Sequence, residues 1–255
     1  MDIFNGVIIA LLFIIGLGVG SFLNVIIVRL HQHESFAAGR SRCPHCQTQI
    51  AWFDNIPLVS FILLAGRCRS CHKPISIQYP IVELTTALLV MWCYVRFGLS
   101  WQLLATAVFI FFLEIIFVYD LQHQLIPDSV TVPGMVVALL ANIFLGMPWW
   151  SLFIGAIIGG GFFAIQYFVS KGRWIGDGDI RLGVLMGAMV GWQQLLAALF
   201  LAYIAGAAVG IVLLASHRAN MKQAVAFGPF LASATIVVLL YGREIISWYV
   251  NTLFF

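Results

Sequence analysis

The chain has 255 residues, of which 62% are hydrophobic and only 9% are charged. Soluble domains carry about 25% charged residues, so this composition excludes a large soluble domain and favours a protein embedded in lipid. The formal net charge of +3 does not indicate a nucleic-acid partner, because Lys and Arg in a membrane protein mainly record its orientation.

The predicted elements are apolar helices separated by short polar breaks. Apolar stretches occupy about 3–28, 81–95, 99–119, 129–147, 149–170, 182–192, 195–215 and 225–250. A helix needs about 20 apolar residues to cross a hydrocarbon core of about 30 Å. We therefore predict an all-α polytopic membrane protein with about eight transmembrane helices. The stretch 182–192 is short, and only Gly191-Trp-Gln-Gln194 separates it from the next, so seven spans are the alternative.

Basic residues are divided unevenly between the two sides of the eight-span arrangement. Eleven of the thirteen Lys and Arg residues fall within 29–80, 120–128, 171–181 and 216–224, whereas only Arg96 and Arg243 fall on the other side. Cytoplasmic loops are enriched in Lys and Arg. These four segments are therefore predicted to be cytoplasmic, with both chain termini outside.

The only long polar segment, 31–80, carries two Cys-x2-Cys pairs, Cys43/Cys46 and Cys68/Cys71. This spacing is typical of zinc sites with four thiolate ligands. Disulfides are the alternative, but the reducing cytoplasm favours free thiols. Four thiolates leave no open position on zinc, so the predicted metal is structural. We predict a first transmembrane helix at 1–30, a cytoplasmic four-cysteine zinc-binding domain at 31–80 and a membrane-embedded domain at 81–255.

Carboxylates in or beside apolar spans are costly to bury and are candidates for functional residues. Two of the polar motifs are predicted at one membrane face: Asp120-Leu-Gln-His-Gln-Leu-Ile-Pro-Asp128 ends the third span, and Gly176-Asp-Gly-Asp179 begins the sixth. The candidates are Glu83, Glu114, Asp120, Asp128, Asp177 and Asp179.

Two of these carboxylates have the placement that aspartic proteolysis needs. One of the pair Asp120 and Asp179 would take a proton from water while the other, protonated, polarises the scissile carbonyl. Asp128 is expected to cap the following helix, and Asp177 to lie in a solvated loop. Glu83 is compatible with either a structural or a functional role. A membrane transporter that relays protons is the non-enzymatic alternative, but it would place carboxylates near mid-span.

The sequence resembles the bacterial type IV prepilin peptidases, also called leader peptidase/N-methyltransferases, across nearly the whole chain. The motifs that carry the resemblance are Gly20-Ser-Phe-Leu-Asn24 followed by Arg29, the two cysteine pairs, Asp54-Asn-Ile-Pro-Leu58, Gly66-Arg-Cys68, Pro74-Ile-Ser76, Tyr79-Pro-Ile-Val-Glu-Leu84, the Asp120 to Asp128 motif, Gly176-x-Gly-Asp179 and Ala226-Phe-Gly-Pro-Phe230.

The resemblance implies a GxGD-type aspartic endopeptidase of the bacterial inner membrane, with Asp120 and Asp179 as the catalytic pair. It implies that the enzyme removes the leader of type IV prepilins or type II secretion pseudopilins at the cytoplasmic face. It also implies N-methylation of the new N-terminus from S-adenosylmethionine, although no motif identifies the residues that would bind this donor. A GxGD peptidase for another membrane substrate is the alternative enzyme.

Overall fold

A computed structural model describes residues 3–32, 34–35, 39–216 and 226–254, and these residues form helices and loops without an extended strand. The chain divides into two compact units, Met1–Leu103 and Leu104–Phe255. The predicted functional boundaries at 30/31 and 80/81 stay a prediction. The helices are α1 (Ile3–Gln32), α2 (Val59–Leu63), α3 (Gln78–Phe97), α4 (Trp101–His123), α5 (Asp128–Phe144), α6 (Trp149–Ser170), α7 (Asp177–Ala215) and α8 (Gly228–Phe254).

Most of these helices are long and apolar enough to cross a membrane. Among the described residues, α1, α3, α4, α6, α7 and α8 meet this condition, and α5 is shorter at 17 residues. Large apolar side chains such as Ile14, Leu140 and Phe168 are exposed on the outer helix faces. Such faces would be unfavourable in water and are favourable against lipid. The protein is therefore a multi-pass membrane protein.

Helix α7 is interrupted at Gly191, which has φ 74° and ψ 171°. This backbone conformation favours glycine because a side chain would be strained there. Before the break, Gly183 packs against Gly159 of α6, and Gly187 packs against Gly155. The residue numbers rise along one helix and fall along the other, so 177–190 runs antiparallel to α6. The small residues allow the two backbones to approach closely.

Beyond the break the chain turns back along α6. Gly191 lies against Ser151 near the start of α6. The hydroxyl of Tyr203 donates a hydrogen bond to Oε1 of Gln166, 3.0 Å away, and its ring contacts that of Phe162. Both contacts lie toward the other end of α6, so 192–215 runs parallel to α6. The chain reverses at Gly191, so α7 counts as two segments. Without the five-residue α2, the described residues then form eight apolar helical segments, in agreement with the predicted number.

The reversal is stabilised by a side chain from α5. The buried amide of Asn142 donates hydrogen bonds to the carbonyl oxygens of Ala188 (2.9 Å) and Met189 (2.8 Å). The last four carbonyls of a helix have no partner within the helix. Water is absent from the hydrocarbon region and cannot bind them there. Asn142 therefore caps the segment 177–190 where it ends inside the bundle.

In the first unit, α1 and α3 pack through two glycines of α1. A Cβ atom at Gly16 would lie 2.6 Å from Cα of Ala87, and one at Gly20 would lie 2.7 Å from Cα of Glu83. Real Cβ atoms do not approach backbone this closely, so the helix contact requires glycine at both positions. This close approach fixes the backbone of α3 at Glu83 relative to α1.

Candidate active site and metal centre

Asp120 lies in the last turn of α4, at one end of the second unit. Its side chain is only 5% exposed, and Oδ2 makes no hydrogen bond of ordinary geometry with a described residue. The backbone of Gly228, the first residue of α8, lies directly against this carboxylate. A Cβ atom at position 228 would be 2.5 Å from Oδ2. The motif Ala226 to Phe230 therefore supplies a glycine that makes room for Asp120.

Asp179 lies in the first turn of α7 and is 7% exposed. Its Oδ2 accepts a hydrogen bond from the backbone N–H of Gly176 at 3.1 Å, which fixes the carboxylate at the helix N-terminus. The neighbouring Gly178 packs against Ile126, and a Cβ atom at position 178 would lie 2.9 Å from Cβ of that residue. The first turn of α7 is thus held against the loop that follows Asp120.

The two predicted motifs meet at this end of the bundle. Asp120 and Asp179 are both buried, and the charge of Asp120 acts on Asp179. Two buried carboxylates in one place are the groups needed to deprotonate a water molecule and to polarise a carbonyl. Glu114 is also buried, two turns earlier in α4. The chemistry available at this site is acid and base catalysis by the aspartate pair.

The other two aspartates of the motifs are exposed. The carboxylates of Asp128 and Asp177 both form ion pairs with Arg181. The prediction that Asp128 caps α5 is wrong: Asp128 is the first helical residue, Pro127 precedes it, and no side-chain cap is present. Its carboxylate pairs with Arg181 instead of a backbone N–H. Asp177 is solvent-exposed as expected, although it belongs to the first turn of α7 rather than to a loop.

The four predicted metal ligands Cys43, Cys46, Cys68 and Cys71 come together in the first unit. All four sulfurs lie within 4.8 Å of one another, and those of Cys43 and Cys71 are 3.9 Å apart. Tetrahedral zinc with Zn–S bonds of about 2.3 Å places its sulfur ligands about 3.8 Å apart. All are free thiols. The cluster can therefore bind a metal ion, and its spacing fits a four-thiolate site.

Both cysteine pairs are presented by the same backbone turn. The N–H of Gln47 donates to the carbonyl of Cys43, and the N–H of His72 donates to the carbonyl of Cys68, each at 2.9 Å. Gln47 and His72 have φ angles of 58° and 56°, respectively. Antiparallel bridges Arg42–Gln49 and Arg67–Pro74 close the two turns. The two pairs therefore have the same backbone conformation, although the sequence shows no repeat beyond the cysteines.

Local hydrogen bonds favour the thiolate form of two cysteines, which is the form that binds metal ions. The side chain and backbone of Thr48 lower the pKa of Cys46 to about 6, and backbone groups of Cys71 and its neighbour lower the pKa of Cys68. At Cys71 the backbone of Lys73 lowers the pKa, but burial and the neighbouring sulfurs outweigh it and raise the pKa to about 11. A bound cation would offset the repulsion between these sulfurs.

A polar contact attaches the second cysteine turn to the short 3-10 helix Trp52–Asn55, which precedes α2. The guanidinium of Arg69 binds the carboxylate of Asp54 through two nitrogens, with Nη2–Oδ1 at 2.6 Å and Nε–Oδ2 at 2.8 Å. It also lies 5.5 Å from the ring centre of Phe53. The guanidinium lowers the pKa of Asp54. Two of the sequence motifs are therefore joined in one folded segment.

Comparison with known proteins agrees with this arrangement. Residues 14–97 match the family model described as Bacterial Peptidase A24 N-terminal domain, and residues 107–211 match the Type IV leader peptidase family. The chain belongs to the type IV leader peptidase family. The first match falls within the first compact unit and the second within the other. The resemblance seen in the sequence is thereby confirmed.

Several relatives carry the name prepilin leader peptidase/N-methyltransferase. That of Stutzerimonas stutzeri is 35% identical, with 93% of this chain and 92% of the relative covered. That of Bacillus subtilis (strain 168) is also 35% identical, with 95% and 98% covered. That of Myxococcus xanthus (strain DK1622) is 41% identical, but the chain spans only 65% of its length. No solved structure matches the chain.

Aromatic residues lie beside the aspartate pair of this leader peptidase, and the sequence did not predict them. The ring centre of Tyr203 lies 5.0 Å from that of Phe227, which lies 6.5 Å from that of Phe163. Tyr203 also interacts electrostatically with Asp179. These side chains come from α6, 192–215 and the residue before α8, and their proximity depends on the reversal at Gly191. Aromatic residues within apolar spans gave no separate signal.

Proposed function

We propose that the protein is a prepilin peptidase that cleaves the leader of type IV prepilins or type II secretion pseudopilins. The observation that carries this proposal is the buried carboxylate pair, Asp120 and Asp179, at one end of a membrane-embedded helix bundle. The names of the relatives support the substrate class. Aspartates at the ends of their helices also favour a peptidase over a transporter, which would relay protons through mid-span acids.

The hydrogen bonds suggest how the pair divides the chemistry. Asp179 accepts an N–H bond from Gly176, a role that suits the ionised base. Oδ2 of Asp120 is buried without a hydrogen bond of ordinary geometry, although the backbone of Gly228 interacts with this carboxylate, and we assign to Asp120 the protonated carboxyl that donates to the substrate. Asp179 would take a proton from a water molecule as the water oxygen attacks the scissile carbonyl carbon. Asp120 would protonate the carbonyl oxygen, and the product is a geminal diol. When the diol collapses, the C–N bond breaks and one hydroxyl proton returns to Asp120. Asp179 gives the proton that it took from water to the leaving amine.

The proposal is tested by incubating the purified full chain, in lipid nanodiscs, with a purified prepilin. Mass spectrometry of the pilin should show loss of the leader at a single peptide bond. With S-adenosylmethionine present, a second product should carry one additional methyl group. An intact prepilin, together with cleavage of an unrelated membrane substrate, would support the alternative GxGD peptidase instead.

We further propose that the four-cysteine cluster holds structural zinc. Its sulfur spacing fits the tetrahedral ion, and four thiolates leave no position for a reacting water. The ion would stabilise the two cysteine turns of the first unit and take no part in the cleavage step. Elemental analysis of protein purified without added metal should find one zinc per chain.

We place the protein in the bacterial inner membrane, surrounded by lipid, with 31–80 on the cytoplasmic side. The distribution of basic residues supports this orientation, although two contributors, Arg218 and Lys222, lie outside the described residues. A membrane-impermeant thiol reagent applied to spheroplasts should label Ser100→Cys, between α3 and α4. Lys171→Cys, after α6, should be labelled only when the membrane is opened. The reverse pattern would overturn the orientation.

A further inference from the structure

The segment 52–63 of the first unit exposes an apolar surface that neither the aspartate pair nor the cysteine cluster uses. Its exposed side chains are large and apolar, and they are Trp52, Phe53, Ile56, Val59, Ile62 and Leu63. Leu63 and Trp52 are the most exposed of them, at 78% and 77%. Single apolar side chains are common on protein surfaces, but a dense group of them marks a surface that contacts something else.

The short helix α2 is apolar on its outer face. The three residues of this face have the i, i+3, i+4 spacing of one helix side, and they are Val59, Ile62 and Leu63. Ser60 points inward instead: its hydroxyl donates to the carbonyl of Phe53 at 2.8 Å and accepts from the N–H of Ile56 at 3.1 Å. These bonds join the 3-10 helix Trp52–Asn55 to α2, so the exposed side chains belong to one folded element.

A hydrogen bond to α3 gives the depth of this element in the membrane. The backbone N–H of Leu58, the residue before α2, donates to Oε2 of Glu83 at 2.8 Å. α3 begins at Gln78 and has 20 residues, so it is about 30 Å long, the thickness of the hydrocarbon core. Glu83 lies about 7.5 Å along this helix from its first residue. The start of α2 is therefore bonded to a residue within the span and not to one above it.

The lipid-facing side of α3 extends past this level. The exposed apolar residues at this end of the helix are Ile77, Ile81, Leu84 and Leu88. Ile77 and Ile81 both come before Glu83 in the chain, so they lie nearer to the end of the span than the residue that binds Leu58. Apolar side chains that are exposed at this level meet the boundary between acyl chains and headgroups. The exposed face of 52–63 is in this position.

The residue types around the segment also suit this boundary. Trp is enriched at membrane–water interfaces, where Trp52 would lie. Helices that lie in the interface bury their apolar face about 5–10 Å into the region between headgroups and acyl chains. Arg67 and Lys73 follow α2 in the second cysteine turn and are exposed. Basic residues near a membrane surface are attracted to anionic headgroups.

We propose that 52–63 is an interfacial anchor whose exposed apolar face inserts into membrane lipid. The carboxylate of Asp54 in this segment binds Arg69 of the second cysteine turn, so the anchor holds the cysteine cluster at the membrane surface. This inference goes beyond the proposed peptidase function and does not depend on it. The proposed orientation makes the bound leaflet the cytoplasmic one, whereas insertion itself follows from the contact with α3.

Photo-cross-linking tests the anchor in the full chain, purified in nanodiscs of phosphatidylcholine and phosphatidylglycerol. p-Benzoylphenylalanine replaces Leu63, and mass spectrometry measures the yield of lipid adducts. The same amino acid replaces Leu88, on the lipid face of α3, as one control, and Gln49, an exposed polar residue of the first cysteine turn, as the other. The Leu63 position should give at least about fivefold more lipid adduct than the Gln49 position and a yield within about twofold of the Leu88 position.

A lipid-soluble diazirine provides a second measurement on the parent chain, without any substitution. The peptides that it labels should include 52–63 together with α3, and should exclude 43–49. A lipid yield at Leu63 no higher than at Gln49 would overturn the proposal, because the face would then contact water. Adducts that mainly join two copies of the chain would also overturn it, since they would make this face a protein interface. Prepilin cleavage and the orientation are measured separately, so failure of the anchor is distinguishable from failure of either.

Discussion

The metal-binding cluster and the aspartate pair bring chemically active side chains together in different ways. Each cysteine pair is fixed by a turn of a few residues, closed by its own backbone hydrogen bonds. Asp120 and Asp179 are fixed instead by helix ends, and their site also depends on Gly228 at the start of α8. Short-range backbone geometry thus prepares one site, whereas membrane helix packing prepares the other. Substitutions should therefore affect the two sites separately.

The largest expected effect is the loss of either buried aspartate. Asp120→Asn and Asp179→Asn should each lower prepilin cleavage by at least about 10²-fold to 10⁴-fold, because each removes the proposed acid or the proposed base. Zinc content should stay at the parent value in both variants. Cleavage is measured by mass spectrometry of the pilin N-terminus.

The matched controls for this prediction are Asp128→Asn and Asp177→Asn, at the exposed partners of Arg181. Both should retain most of the cleavage activity, since their carboxylates lie outside the buried pair. If Asp177→Asn alone abolishes cleavage, the second motif contributes Asp177 to catalysis and not Asp179.

A methyl group at position 228 should disturb the aspartate pair without changing any charge. Gly228→Ala would bring Cβ to 2.5 Å from Oδ2 of Asp120, so the carboxylate or the start of α8 must shift. A displacement of about 1 Å in a catalytic group can cost about 10²-fold in rate. We expect cleavage to fall by about tenfold or more. Gly210→Ala is the control, because nothing lies within 4 Å of its added Cβ, and activity equal to this control would contradict the expectation.

Removal of the predicted metal ligands should affect zinc binding strongly and prepilin cleavage only weakly. Cys43→Ser/Cys71→Ser should abolish zinc binding, because two of four ligands are lost. Protease sensitivity within 39–76 should rise, since metal binding and local folding are coupled. Cleavage should fall by less than about tenfold, because the aspartate pair is built from the second unit and sites without shared partners act independently. Loss of cleavage as complete as in Asp179→Asn would show that the two sites are coupled.

The sequence was sufficient for features that depend on spacing or on apolar length. The Cys-x2-Cys pairs predicted a cluster that the structure brings together, and the eight apolar stretches agree with the helical segments. The start of α5 was harder, because Asp128 is a common capping residue yet pairs with Arg181 across a helix contact. The aromatic residues beside Asp179 were not predicted because they, too, meet through contacts between different helices. Their proximity is set by the chain reversal at Gly191, which no local pattern measures.

The smallest expected effect concerns that reversal. Asn142→Leu removes the two hydrogen bonds to Ala188 and Met189 and leaves both carbonyls without a partner in a region without water. A buried polar group left without a hydrogen bond costs about 1–3 kcal/mol, and cross-helix bonds in membranes lie toward the lower part of this range. We expect the free energy of unfolding to fall by about 1–2 kcal/mol, measured by denaturation in mixed micelles.

The control for Asn142→Leu is Asn251→Leu, an exposed asparagine near the end of α8 that should leave the free energy of unfolding unchanged. Cleavage at low temperature should be close to the parent value in both variants. The reason is that Asn142 binds the C-terminal end of 177–190, whereas Asp179 lies in its first turn. If Asn142→Leu is as stable as the control, the carbonyls of Ala188 and Met189 have another partner and Asn142 is not what stabilises the reversal. If it instead abolishes cleavage in a folded protein, the break at Gly191 controls the position of Asp179 along the whole helical segment.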